Sequence, residues 1–344
     1  MKIPHSELKR LLALIAPVVP KNPTLNILGN VLLSAENDIA YLTASNMDIE
    51  ITVRGRVEGD LAPVCVSPNR LQAALAAGED LTFRRDGERL AIRAGRSRYA
   101  VSTLLAKDFP RRDQVNTGEW VGLENISASI ARVLPFSAVK DIRYYLQAVY
   151  LEQKDGHLYI VATDGHRLAQ IAETCNAPIA PILLPSAVAE LIARGGFLRM
   201  RADKRSVVLL ADQMEVHAAL VDGTYPDWQR ILPDATRQIA VETTDIRRSV
   251  EAIQGYADAR ARGVTLSKVG DELTLASADA SGDETASTIP AEGDDFSVGF
   301  NVTYLTDMIR AIRSERLQLA WGDPPRAFQI VEGSAVFILM PMRV

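Results

Sequence analysis

Asp108-Phe109-Pro110 ends a stretch that reads as three short strands, and the same aromatic-or-Met-then-Pro clause returns at Tyr225-Pro226 and Met340-Pro341. The three prolines lie 116 and 115 residues apart. Upstream of each, a polar start before a helical pattern recurs at Ser67-Pro68, Pro185-Ser186 and Asn301-Val302, spaced by 118 and 116 residues. Further upstream, Ser6, Ser127 and Thr244, spaced by 121 and 117, each read as the N-cap of an apolar-periodic helix. Three markers thus keep nearly one period. A solenoid repeat is only about 20–50 residues long, so this period implies one small domain per repeat.

Each repeat reads as α+β, with two helices and antiparallel strands. In the first, Ile27–Leu33, Ile39–Thr43 and Ile49–Val57 read as strands. Helix 67–77 follows, ended by Gly78, and then come Leu81–Arg84, Leu90–Arg93 and Arg98–Leu104, with Asp86-Gly87 as a hairpin turn. The second has strands near Ala148–Gln153 and Tyr159–Thr163, helix 185–194 ended by Gly195-Gly196, then Leu198–Arg201, Ser206–Ala211 and Glu215–Val221. The third has Val264–Lys268, Glu272–Ala276 and Glu284–Ile289, helix 301–313, then Leu317–Trp321, Ala327–Val331 and Ala335–Met340. Polar stretches at 111–120 and 233–240 read as joints, which gives domains at 1–117, 118–236 and 237–344.

The chain has 344 residues, 47% apolar and 24% charged, as in ordinary soluble domains. Cys65 and Cys175 are its two cysteines and stand 110 residues apart, which argues against a disulfide framework or a thiolate metal site and fits a reducing cytoplasm. Leu11 to Pro20 is too short to span a bilayer. It could pass for the apolar part of a signal peptide, but Leu8, Leu11, Leu12 and Ile15 recur at helical spacing, with Glu7, Lys9 and Arg10 on the other face. Net charge is −5, which by itself points to no nucleic-acid partner. The distribution is uneven. The six helical segments (6–16, 67–77, 127–140, 185–194, 244–262 and 301–316) together carry +6, which leaves −11 for the rest. Basic helices on an acidic body hint at one positive surface, although solvated helix faces would give the same count.

No nucleotide-binding glycine loop, zinc-protease or serine-hydrolase signature is present. Asp164 and His166, in Thr163-Asp164-Gly165-His166-Arg167, could form an acid–base pair for a hydrolase or lyase. Their spacing across a glycine suits a tight turn better, with Asp164 capping the backbone and Gly165 at positive φ. Two apolar stretches stand out: Tyr225-Pro226-Asp227-Trp228-Gln229-Arg230-Ile231-Leu232-Pro233, and the terminal Val336-Phe337-Ile338-Leu339-Met340-Pro341-Met342-Arg343-Val344. Each could be linker or core packing. An exposed Met/Pro tail beside an aromatic linker would also make a groove for a short peptide.

These stretches resemble the bacterial DNA polymerase III β subunit family, the sliding clamps. The resemblance runs through nearly the whole chain. It is carried by Pro23-Thr24-Leu25-Asn26-Ile27-Leu28-Gly29-Asn30, Gly95-Arg96-Ser97-Arg98-Tyr99, Asp108-Phe109-Pro110, Asp141-Ile142-Arg143-Tyr144-Tyr145-Leu146, and Val161-Ala162-Thr163-Asp164-Gly165-His166-Arg167-Leu168-Ala169. Tyr225-Pro226-Asp227, Arg262-Gly263-Val264, Phe300-Asn301-Val302-Thr303-Tyr304 and the Met340-Pro341-Met342-Arg343 tail extend it.

The resemblance implies three clamp domains forming half of a pseudo-six-fold ring, closed by a second copy head to tail, with helices lining the hole and sheets outside. It implies no catalysis, no cofactor and no membrane. The expected partners are duplex DNA, held without reading sequence, and DNA polymerases, the clamp loader and other proteins carrying clamp-binding motifs. The implied peptide groove comprises Leu146, Thr163, Gly165, His166, Arg167, Leu168, Pro226, Arg230, Ile231, Tyr304, Met340, Pro341, Met342 and Arg343. Implied DNA contacts are Asn22, Lys140, Arg143, Tyr144 and Tyr145, with Lys21 and Arg70 beside them. The implied dimer interface uses Arg96, Arg98, Tyr99 and Val101 against Gly255 and Tyr256. The chain departs from the family where Asn22 replaces an Arg, Lys140 a Gln, Ala261 an aromatic, and Gly255-Tyr256 two large aliphatics.

Overall fold

The computed structural model describes residues 1–112, 118–255, 263–278, 282, 284–322 and 326–343. They include six α-helices, α1 (His5–Ile15), α2 (Pro68–Leu75), α3 (Ile126–Val133), α4 (Ser186–Ala193), α5 (Thr243–Gln254) and α6 (Val302–Ala311). The strands are paired antiparallel throughout the described sheets.

The chain folds into two compact units, and neither is continuous in sequence. One comprises Met1–Glu124 and Gly196–Leu220. Its main sheet has eight strands, in the order Leu61–Val66, Val31–Glu36, Ile39–Ser45, Ile49–Arg56, Met214–Ala219, Ser206–Ala211, Arg199–Ala202 and Val121–Gly122. The seam between sequence-distant strands sets Ile51 opposite Val216. Two strand edges with open N–H and C=O groups satisfy each other there, and Ile51, Val53, Leu209 and Val216 continue one buried face across the seam. A four-stranded sheet (Lys2–Ile3, Leu81–Asp86, Arg89–Ala94, Ser97–Ser102) leaves Ser97–Ser102 at its edge. On α1, Leu8, Leu11, Leu12 and Ile15 are all buried, as their spacing predicts.

The other unit comprises Asn125–Gly195 and Val221–Val344. Its nine-stranded sheet runs Ile182–Pro185, Ala148–Lys154, His157–Thr163, Arg167–Thr174, Ala335–Leu339, Phe328–Glu332, Arg316–Trp321, Arg237–Glu242 and Glu292–Gly293. The seam is Arg167–Thr174 against Ala335–Leu339, with Ala169 opposite Phe337. A second sheet orders Glu284–Pro290, Glu272–Ala278, Gly263–Val269 and Phe296–Asn301. α3 packs with α4, and α5 with α6.

Several sequence expectations are corrected. Ser6, Ser127 and Thr244 are not N-caps. Each is the second residue of its helix, and the cap positions Pro4, Asn125 and Glu242 make no side-chain cap bond. α5 starts straight off the strand Arg237–Glu242, and its first N–H, on Thr243, reaches Glu315 O at 2.8 Å. Strand pairing, not a capping side chain, fixes that start. Asn301 does cap α6, with its Oδ1 accepting from Thr303 N at 3.0 Å and Tyr304 N at 3.3 Å. The helix expected over 127–140 stops at Val133 and tightens into a 3-10 turn, Leu134–Phe136, because Pro135 cannot supply an N–H to a helix interior. α5 ends at Gln254, and the remainder of the expected 244–262 helix lies outside the described residues. The strand expected at Ile27–Leu33 is a 3-10 turn, Asn26–Gly29, followed by Val31–Glu36. Arg167–Thr174 was not expected as a strand, since Arg167 and Gln170 break its apolar alternation; both are buried.

Candidate functional site

The turn Thr163–Arg167 organises one face of the Asn125–Gly195/Val221–Val344 unit. Thr163 Oγ1 accepts from Gly165 N at 3.1 Å, and Asp164 Oδ1 accepts from His166 N at 2.9 Å and Arg167 N at 3.1 Å. Gly165 sits at φ +91°. Short side chains thus take over the backbone donors of the turn, and glycine supplies the left-handed residue. The turn reading of this motif therefore describes the structure. Asp164 serves the turn and Arg167 with both oxygens, and His166 stacks on Tyr304 with ring centroids 6.1 Å apart, so the two form no acid–base pair.

Across the turn lies the loop before Leu146. Arg143 donates to Asp141 through Nε (3.0 Å) and Nη2 (2.8 Å), and to Asp164 O at 3.0 Å. The guanidinium holds the Asp141 carboxyl down at about 2, well below its ordinary value. A Cβ at Gly165 would sit 3.1 Å from Arg143 Nη1, so glycine is also what lets this side chain pass.

Arg143, Tyr145, Leu146, Thr163, Gly165, Leu168, Pro226, Asp227, Trp228, Ile231 and Met340 line a groove of about 200 Å³. Its underside is apolar core containing Leu146, Ala148, Val161, Leu168, Tyr225, Trp228 and Ile338. Tyr150 stacks on Tyr225 with centroids 4.7 Å apart, and Tyr159 tilts against Trp228 at 5.7 Å. Burial pushes the Tyr225 hydroxyl pKa well up. Asp227 and Arg230 pair at 2.8 Å on the exposed rim.

The structure therefore brings Leu146, Thr163, Gly165, Leu168, Pro226, Ile231 and Met340 together, as the resemblance implies. Other residues of that set do not line it. Arg167 is buried beneath the turn, bonded to Asp164 Oδ2 (3.0 Å), Asp307 Oδ2 (2.6 Å) and Pro135 O, with its guanidinium 4.3 Å from the Tyr304 ring. It secures the turn and does not line the groove. His166 and Arg230 are exposed, and Met342 bonds back to Gly299 O at 2.8 Å. Pro341 and Arg343 flank that contact. Arg143 and Tyr145, expected as DNA contacts, line the groove, and Arg143 is already ion-paired. Trp228 and Asp227 were outside the implied set; the aromatic run Tyr225–Trp228 was their signal in the sequence.

Of the other implied DNA residues, Lys140 (φ +56°) and Tyr144 are exposed on the same loop. Lys21, Asn22 and Arg70 are exposed on the Met1–Glu124/Gly196–Leu220 unit. The charge of the helices is partly spent internally: Arg10 pairs with Glu7, Arg132 with Glu332 and Arg310 with Glu251, while Lys9, Arg70 and Arg248 stand exposed. Arg98, Tyr99 and Val101 lie on the edge strand Ser97–Ser102, with Arg96 just before it. Gly255 caps the C-terminus of α5, and Tyr256 lies outside the described residues. Among the described residues no His, Cys, Asp and Glu cluster could hold a metal, and no helix is long and apolar enough to cross a membrane.

Comparison with known proteins agrees with this architecture. Family models described as the N-terminal, central and C-terminal domains of the DNA polymerase III beta subunit match residues 1–113, 123–227 and 229–343. The chain is 28% identical to the beta sliding clamp of Proteus mirabilis over 345 residues, covering 94% of each chain. It is also 28% identical to that of Pseudomonas putida, covering 99% of each. The crystal structure of the DNA polymerase III subunit beta from Pseudomonas aeruginosa superposes with a TM-score of 0.91 at 25% identity, covering 100% of both chains. The chain belongs to the DNA polymerase III beta subunit family, whose members are sliding clamps: non-catalytic processivity subunits built of three clamp domains.

Proposed function

We propose that this chain is a DNA sliding clamp that closes around duplex DNA as a head-to-tail homodimer in the cytoplasm and tethers replicative and repair polymerases through the groove at Leu146, Leu168, Pro226, Ile231 and Met340. Its domains are taken as 1–117, 118–236 and 237–344. The observation that carries the reading is the groove itself. It is a largely apolar trough over a packed aromatic core, whose charged lining residues Arg143 and Asp227 are each held in an ion pair, and so suits the apolar anchors of a short peptide. A tethered polymerase stays at high effective concentration near its primer end, so the protein needs no chemistry of its own.

Dimerisation through Arg96, Arg98, Tyr99 and Val101 is supported by the open edge of Ser97–Ser102, and Glu284–Pro290 is likewise an open edge. The exposed Lys9, Lys21, Arg70, Lys140 and Arg248 suit phosphate contacts, which attract DNA without reading its sequence. The clamp loader would use the same groove.

The test combines solution mass, retention on nicked circular DNA, and binding of a polymerase-derived clamp-binding peptide. A dimer that stays on circles, slides off linearised DNA and captures the peptide is expected. A strict monomer at micromolar concentration that never stays on circular DNA removes the ring. Deleting Met340–Val344 is expected to weaken the peptide and leave the dimer intact; collapse of the dimer would show that the tail is misassigned.

A further inference from the structure

Ser45-Asn46-Met47-Asp48-Ile49-Glu50 stands 118 residues before Thr163-Asp164-Gly165-His166-Arg167-Leu168, and its turn is built the same way. Ser45 Oγ accepts from Met47 N at 3.3 Å, and Asn46 Oδ1 accepts from Asp48 N at 3.1 Å and Ile49 N at 2.7 Å. Met47 takes φ +80°, as Gly165 takes +91°. The neighbouring strand docks alike, with Ala219 N on Asp48 O at 2.8 Å and Met340 N on His166 O at 2.9 Å. At the same offset Leu28 answers to Leu146, and both are buried. Pro110 answers to Pro226.

The groove-floor position breaks the likeness. Where the open groove has Leu168, the earlier turn has Glu50, 1% exposed. Its carboxylate accepts from Arg111 Nε and from Arg112 N, both at 2.9 Å, and the Arg112 guanidinium donates to Met47 O. The chain after Pro110 is thereby laid across the turn. After Pro226 the chain instead coils into the 3-10 turn Trp228–Ile231, and the Asp164 carbonyl is taken by Arg143.

We propose that Glu50 determines peptide specificity by closing this second copy of the groove: it recruits the chain's own Arg111-Arg112 as permanent occupant, so that each chain offers one peptide site. A buried carboxylate without a partner is costly, and the apolar anchor of a peptide cannot pair with it, whereas Arg111 and the Arg112 N–H do. The proposal rests on the reading that the Leu168 groove takes peptides.

Calorimetric titration with a polymerase-derived clamp-binding peptide tests it. Wild type is expected to show one class of sites, and the Glu50→Leu/Arg112→Ala variant a second, weaker class. A variant that melts as wild type does and still shows one class overturns the proposal. Should that variant not fold, Glu50→Gln, which is isosteric, decides. In Glu50→Gln, which keeps both arginines, trypsin is expected to cut after Arg111 and Arg112 faster than in wild type, and unchanged cutting overturns the clasp. A wild type that binds no peptide sinks the groove reading instead, and the trypsin comparison still reports on the clasp.

Discussion

The two hairpin turns, Ser45–Glu50 and Thr163–Leu168, share a backbone and differ in use. Their first two residues satisfy the same donors with the same kinds of side chain, Ser or Thr then Asn or Asp. Their last two residues diverge: Ile49-Glu50 against Arg167-Leu168. Local hydrogen bonds shape such a turn wherever it occurs, because they need only short polar side chains close in sequence. What the turn presents depends on the next residues and on which distant groups meet them. A leucine leaves an apolar floor, while a glutamate calls in two arginines.

The comparison can be broken most forcefully at Arg167. Arg167→Ala leaves Asp164 and Asp307 without their shared cation and is expected to cost about 3 kcal/mol in urea unfolding. A loss below about 1 kcal/mol would mean the second turn stands without its arginine, as the first does with Ile49. Next comes the groove. Ile231→Ala is expected to weaken the clamp-binding peptide about tenfold in fluorescence anisotropy, with an unchanged melting temperature. Equal affinity would put the anchor elsewhere.

Smaller effects separate the two left-handed positions. Gly165→Ala is expected to lose about 1 kcal/mol, since the added Cβ meets Arg143 at an unfavourable φ. Met47→Gly relieves the same φ and is expected to gain about 0.5 kcal/mol by thermal melting. Opposite signs support one shared turn geometry, and equal signs refute it. The smallest effect is in pH. Asp141 has a depressed value, so its pairing with Arg143 is complete above the ordinary carboxylate range and is lost only as pH falls through about 2. Carbon-detected NMR is expected to place its midpoint near that value; a midpoint near the ordinary one would mean Arg143 is free in solution.

Much of the site was legible in the sequence because its parts are local. The Thr163–Arg167 turn, the aromatic run from Tyr225 and the Met340-Pro341 tail are each written in consecutive residues. Arg167 was assigned to the groove by family position, which does not say which way a side chain turns. Here two carboxylates and the Pro135 carbonyl draw it inward. Arg143 was expected as a DNA contact from the resemblance alone, and its pairing with Asp141 and the Asp164 carbonyl was not legible because it depends on the bend of an irregular loop.

By itself the sequence determined the threefold period, the α+β content, the amphipathic face of α1 and the membership of the clamp family, since periodicity and motif spacing are properties of neighbours along the chain. Tertiary structure alone decided the two strand seams, the burial of Glu50 under Arg111 and the meeting of Leu146, Pro226 and Met340 in one groove. Those depend on which unpaired edge finds which, and on which distant cation reaches a buried carboxylate, and no local pattern encodes either choice.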